Sequence, residues 1–317
     1  MNKFPSISNF PAWKQWLLFL LMLVLISWHY NFHEIIFLAP QSIHFWRQAD
    51  CLSFTLNYMM EDRGFFNPAV HYIGQADHGE MVTDFPIIFY LVGNIWKITG
   101  QQEWIFRLLI FSIFITGLSA LFLVLRDWFK SFFWASMIAL LLFTSPVIAY
   151  YSSNFVMNMP AFSFALLGLS SFYWFVRTSQ SKWLWISMLF YLIGGLLKVP
   201  ALMTFVVIVF VFATEFLGII KYRDEKPIFS KGLTDAIPML IVMVSVFLWV
   251  RFIHMYNQGN EGLFLAGIYP IWDLSWEQIN VIVDEFTSYW YKQHFHQYLH
   301  AATLLAYLWI IWNTKRL

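Results

Sequence analysis

One cysteine in 317 residues, Cys51, rules out an intrachain disulfide, and the redox compartment cannot be read from the chain. Charge is scarce too. Asp, Glu, Lys and Arg make up 12% of the residues, where soluble domains carry about a quarter. A chain so poor in charge is not an ordinary water-soluble globule. Neither sign is in surplus: 19 Lys and Arg face 18 Asp and Glu, a formal charge of +1. Nucleic acid needs a concentrated basic footprint, so this charge gives no reason to invoke it and no nucleic-acid partner is expected. No internal repeat, linker or low-complexity tract is visible. The chain is instead 60% hydrophobic, with 35 Phe and 17 Trp and a mean hydropathy of +0.61. That composition suits a multi-span membrane protein with interfacial aromatics.

Apolar segments long enough to cross about 30 Å of hydrocarbon set the expected topology. Trp16–Leu38 is the first. It is longer than a signal-peptide core and no small-residue cleavage site follows, so it reads as a retained anchor. Others lie at Ile105–Leu125, Phe132–Ala149, Pro160–Val176, Trp183–Leu197, Ala201–Ile220, Ile237–Phe252 and Leu299–Trp312. Arg126/Lys130, Arg177/Lys182, the Lys221–Lys231 run and Lys315/Arg316 alternate with connections much poorer in basic residues. With the basic loops on the cytoplasmic side, about eight spans zigzag and both termini are cytoplasmic. Phe85–Ile98, short and opening on a proline, is then an interfacial or re-entrant helix on the outer face. The expected fold is an all-α polytopic transmembrane bundle, a single integral-membrane module over 1–317. Its two large outer loops are 39–103 and 254–297.

The longest polar interruption is Ile43–Phe89, "IHFWRQADCLSFTLNYMMEDRGFFNPAVHYIGQADHGEMVTDFPIIF". Asp50, Asp62, Asp77, Glu80 and Asp84 sit there with Arg47, His44, His71 and His78. Trp46–Glu61 reads as an amphipathic helix. Leu52, Leu56 and Met59 fall near one face, with Arg47 and Asp50 three apart on another. Asn67-Pro68 and Gly74 break the pattern. "EMVTDFP" brings Glu80 and Asp84 back toward the membrane.

These residues carry a resemblance. "WRQAD" after the first span, "FFNPAVHY", the acidic-x-Pro element in "TDFPIIFYLVGNIWKITG" and Arg107 resemble the GT-C glycosyltransferases. Closest are the family 39 members, the protein O-mannosyltransferases and the aminoarabinose transferase of lipid A. "GGLLKVPAL" at Gly194–Leu202 is similar to the Gly-x-x-x-Lys-x element near the end of a later span in that group. The resemblance covers most of 43–202 and the remainder by topology. It implies inverting transfer of a sugar from a polyprenyl-phosphate donor to a glycan, lipid or protein acceptor. The resemblance further implies that the transfer takes place on the non-cytoplasmic face of a membrane, expected from the family's use to be a bacterial plasma membrane.

Such chemistry asks for two things. A carboxylate must orient or deprotonate the acceptor hydroxyl. Cations must neutralise charge growing on the departing phosphate. Asp50 is the expected catalytic carboxylate, the base or acceptor-orienting group, by its interfacial position and its match to the family's first-loop acid. The plainer alternative is a surface pair with Arg47, worth only about 0.2–0.5 kcal/mol. Asp84 stands equally for substrate positioning or for capping a helix before the proline turn; Glu80 is its second-tier companion. Lys198, at the outer end of a span, is expected on the donor phosphate or else snorkelling. Arg251 and His254 are candidates for the same phosphate. Arg47 joins the substrate-binding set, and Arg107 is expected to tie the loop to a span.

Two departures from the family pattern stand out. Where an acid is usual after the third span, this chain reads "SSNFVMNMPAFSF". Asn158 there can hydrogen-bond a sugar but cannot act as a base; a carboxylate such as Glu261 is the alternative. The chain also ends at Leu317, where family members commonly add spans, which reads as a minimal module or a truncated frame. No clustered acidic triad calls for a metal, so no cofactor is expected, a divalent cation being the lesser alternative. His294, His296 and His300 read as interfacial histidines. The rival reading is a non-catalytic or degenerate membrane protein that binds or transports lipid-linked sugar.

Overall fold

A computed structural model describes residues 10–71, 79–223, 226–258 and 270–314. Glu261, His78, Asp77 and Gly74 lie outside the described residues. The regular structure among those described is helical, with one isolated antiparallel bridge, Ala69 to Glu80. In order the helices are α1 (Ala12–His29), α2 (Phe32–Ile35), α3 (Phe45–Met60), α4 (Ile87–Thr99), α5 (Glu103–Phe129), α6 (Phe132–Phe143) and α7 (Pro146–Ser152). Then come α8 (Asn158–Thr178), α9 (Ser181–Leu197), a 3-10 turn (Val199–Leu202), α10 (Met203–Phe216), α11 (Leu233–Asn257), α12 (Trp276–Glu285), α13 (Tyr291–His294) and α14 (Gln297–Thr314).

Five of these helical stretches are long and apolar enough to cross a membrane: α1, α5, α8, the 3-10 turn with α10, and α11. The broken pair α6 and α7 makes a sixth if it counts as one span. The α9 helix has 17 residues, at the lower limit for crossing. The first span is shorter than the apolar run suggests. Its helix stops at His29, just before Asn31 takes a left-handed conformation, φ 57°, and the separate short helix α2 follows. The α4 helix, 13 residues long, falls short of a span. Large apolar side chains on the spans remain uncovered by the chain itself, among them Val206, Val207 and Phe210 on α10 and Leu240, Phe247 and Leu248 on α11. Such faces in water would be a large aggregation-prone patch, and hydrocarbon is their natural cover.

The chain divides into two compact units, 1–140 with 151–266, and 141–150 with 267–317. In the first, α8 packs against α5 and α9, and α9 against α11. Phe175, Tyr191, Phe205, Phe229, Met239 and Val242 lie in the core between them. Arg107 of α5 is buried. It donates to the carbonyls of Leu38, Ala39 and Ser153 and lies over the Phe155 ring at 4.1 Å. It therefore ties the segment leading into α3 to a span, as expected. In the second unit, α12 carries a reciprocal capping box, Ser275 with Gln278. His300 stacks on Tyr291 at 4.1 Å, and His294 Nδ1 lies 3.0 Å from the Trp290 carbonyl.

Candidate functional site

The site is built on α3. Its buried face, with Leu52, Phe54, Thr55 and Tyr58, packs on Phe89, Val92 and Trp96 of α4. Phe54 and Phe89 stack at 5.3 Å. Gly93 makes the approach possible, since a Cβ there would stand 2.8 Å from the Thr55 carbonyl oxygen and from Tyr58 Cβ. A strap running from Phe65 to Pro86 lies alongside, with residues 72–78 outside the description. Tyr58 Oη donates to the Phe65 carbonyl and Asn57 to that of Ala69. The end of α11 holds the other limb. Asn257 accepts from the Val82 backbone N–H at 3.0 Å and donates to its carbonyl at 2.8 Å, as a neighbouring strand would. Tyr256 donates to Asn67 and Pro68.

So held, the strap buries Asp84, whose side chain is 2% exposed. Its Oδ2 accepts from Arg47 Nη2 and its Oδ1 pairs with Lys198 Nζ, both at 2.6 Å. Arg47 Nη2 also donates to Thr83 Oγ1 at 2.7 Å. Lys198 reaches the site because α9 ends there. The chain leaves the helix extended at Lys198, φ −152° and ψ 118°, before Pro200 in the 3-10 turn. Gly194 and Gly195 let this end pack tightly, against the Ala161 carbonyl of α8 and against Leu202. Asp84 does not cap α4, whose N-cap is Pro86 without a side-chain bond. The capping alternative is thereby settled against.

Asp50, one turn along α3 from Arg47, is half-buried. Its Oδ2 is enclosed and has no hydrogen-bond partner among the described residues. Burial pushes its carboxyl above the ordinary range, and the Arg47 charge offsets part of that rise. Arg47 spends its Nη2 on Asp84 and Thr83, and its charge also acts on Asp50. Cys51 is fully buried beside Arg47, Asp84, Lys198 and Asp50, and burial pushes its thiol up to about 12. It packs as a small buried side chain. Burial opposes the charge on Arg47, but Asp84 together with the other acidic neighbours outweighs it, and the guanidinium stays protonated.

The other candidates are not gathered here. Glu80 pairs with Arg63 at 3.4 Å, which also binds Glu61. Asn158 is exposed at the first turn of α8, whereas Asn154, four residues earlier, is buried and accepts from the Phe155 backbone N–H. Arg251 is exposed, and the exposed His254 faces Gln258. Sequence reasoning missed Asn257, Tyr256 and Thr83. Asn257 lies 175 positions from the residue it holds, and no local pattern announces such a bond. Among the described residues no group of three or more His, Cys, Asp or Glu side chains is placed to hold a metal ion. No family model, curated protein or solved structure matches the chain.

Proposed function

We propose that this membrane protein is a GT-C-type glycosyltransferase, similar to family 39, that moves a sugar from a polyprenyl-phosphate donor to an acceptor hydroxyl. One observation carries the reading. A half-buried carboxylate with an unpartnered oxygen, Asp50, stands one turn from Arg47, which Asp84 draws together with Lys198 from a distant segment. Sugar transfer from a lipid phosphate needs a base beside cations, at the edge of apolar spans.

In this reading Asp50 takes the proton of the acceptor hydroxyl. The acceptor oxygen attacks the anomeric carbon from the face opposite the phosphate. The carbon–oxygen bond to phosphate breaks, and its electron pair leaves with the phosphate. Lys198 and Arg47 balance the charge that grows there. A carboxyl with a raised pKa is the better proton acceptor near neutral pH. Asp84 positions the two cations, and Asn257 positions Asp84 through the strap. The eight-span zigzag, a catalytic loop at 39–103 on the outer face of a bacterial plasma membrane, and cytoplasmic termini belong to the same proposal.

A second reading is favoured by one feature. Asp84 already neutralises Arg47 and Lys198, so the trio is stable without a phosphate. A degenerate relative that binds or transports lipid-linked sugar without turnover would keep such a trio. The deciding experiment supplies the purified chain in nanodiscs with a panel of radiolabelled polyprenyl-phosphate sugars. Transfer or donor breakdown supports the enzyme. Tight binding with no turnover across the panel supports the binder.

A further inference from the structure

Arg47, Asp50 and Ser53 follow one another along α3 at three-residue steps, about 4.5 Å of helix rise each. Ser53 Oγ accepts the backbone N–H of His71 at 2.7 Å and lies 2.8 Å from the His71 Nδ1. The backbone bond alone would pin the strap. The additional bond to Nδ1 fixes the imidazole ring. The ring is exposed, and no described residue hydrogen-bonds its Nε2. One turn back on the same helix is the unpartnered Oδ2 of Asp50. Nothing in the donor chemistry argued above makes use of His71.

We propose that His71 is a sugar-contacting residue whose Nε2 hydrogen-bonds a ring hydroxyl of the lipid-phosphate-linked sugar, an inference that rests on the glycosyltransferase reading. The order along α3 carries it. The cations lie at the Arg47 end, where a phosphate belongs. Asp50 stands next, where the anomeric carbon meets the acceptor hydroxyl. A sugar ring attached to that carbon extends toward Ser53 and His71. A sugar hydroxyl both donates and accepts, so it satisfies Nε2 in either ring tautomer. A phosphate contact for His71 is disfavoured, because His71 is held at Ser53, two three-residue steps along α3 from Arg47, and Asp50 falls between them in that order.

The test measures binding of sugar-free polyprenyl phosphate and of the polyprenyl-phosphate sugar panel to the full chain in nanodiscs. Wild type is compared with His71→Asn and His71→Gln. Asparagine keeps a partner for Ser53 but loses the distal nitrogen; glutamine reaches the Nε2 position. The expected result is that His71→Asn weakens the sugar-bearing lipid by about tenfold, the scale of one lost hydrogen bond. Sugar-free lipid phosphate should bind unchanged, and His71→Gln should recover most of the loss. Equal binding of both lipids by wild type and His71→Asn overturns the role of His71 and leaves the glycosyltransferase reading standing. Parallel loss of both lipids overturns it too, by making His71 structural. A wild type that binds neither lipid overturns the parent reading and this inference together.

Discussion

Asp84 and Asp127 are the same residue in almost the same company, and they do different work. Each gathers two cations and has a hydroxyl close by. Asp127, at the end of α5, takes Lys130 at 2.6 Å, Arg177 at 3.6 Å and the Tyr173 hydroxyl at 2.6 Å. It thereby pins α5 to α8, beside Arg126, which donates to Gln15 of α1. Asp127 is 22% exposed, and its two cations are 66% and 60% exposed. Asp84 is 2% exposed, with Arg47 at 18% and Lys198 at 33%. Solvent screens the first cluster and largely spares the second. The second also has a neighbour left over. Around Asp127 the carboxylate oxygens are satisfied and the cluster acts as a rivet. One helical turn from Arg47, the partner of Asp84, stands Asp50, with a buried oxygen that no described residue satisfies. Buried charge with an unspent acceptor is the mark of a place built to receive something.

That contrast can be broken by mutation. Asp84→Ala strands two buried or half-buried cations and should destabilise the fold by about 3–5 kcal/mol, read as a large drop in thermal unfolding temperature in detergent. Cys51 sharpens the result. Buried and with its thiol pushed up to about 12, it should resist maleimide in the wild type and label readily in Asp84→Ala. Asn257→Ala leaves the buried Val82 amide and carbonyl unpaired and should cost about 1–3 kcal/mol. It should also lower turnover through the strap. Asp127→Ala, in the screened cluster, should cost about 1 kcal/mol or less and leave Cys51 protected. Equal losses at Asp84 and Asp127 would erase the distinction.

Much of the site was legible residue by residue, and its assembly was not. The α3 helix follows from its amphipathic pattern, and Arg47, Asp50, Asp84 and Lys198 from their types and positions. That Lys198 and Arg47 meet on Asp84 could not be read, because α9 and the strap are brought together only by tertiary packing. The twin glycines of "GGLLKVPAL" hint at close packing without naming the partner. Helix ends were blurred for a local reason. The apolar run 16–38 does not record that Asn31 turns the chain at φ 57°. Glu80, Arg251 and His254 share the chemistry of the site residues but not their place, since composition cannot tell which charges a fold collects.

Burial raises the Asp50 pKa, and a base works only when ionised. Turnover should therefore fall as pH drops through a value above the ordinary carboxylate range of about 3.9. Arg47→Gln removes the offsetting charge and should shift that acidic limb to higher pH. The same rise fixes the effect on stability. A carboxyl whose folded pKa exceeds its unfolded one favours the fold at low pH, and that benefit is lost as pH rises through the folded value. At neutral pH Asp50→Asn should thus melt no lower than wild type.

The most direct measurement is donor turnover at neutral pH by wild type and Asp50→Asn in parallel, with donor binding followed in both. The expected result is a loss of about 10²–10⁴-fold in Asp50→Asn, with binding and melting temperature retained. An Asp50→Asn protein that turns donor over at the wild-type rate would contradict the assignment of Asp50 as the base.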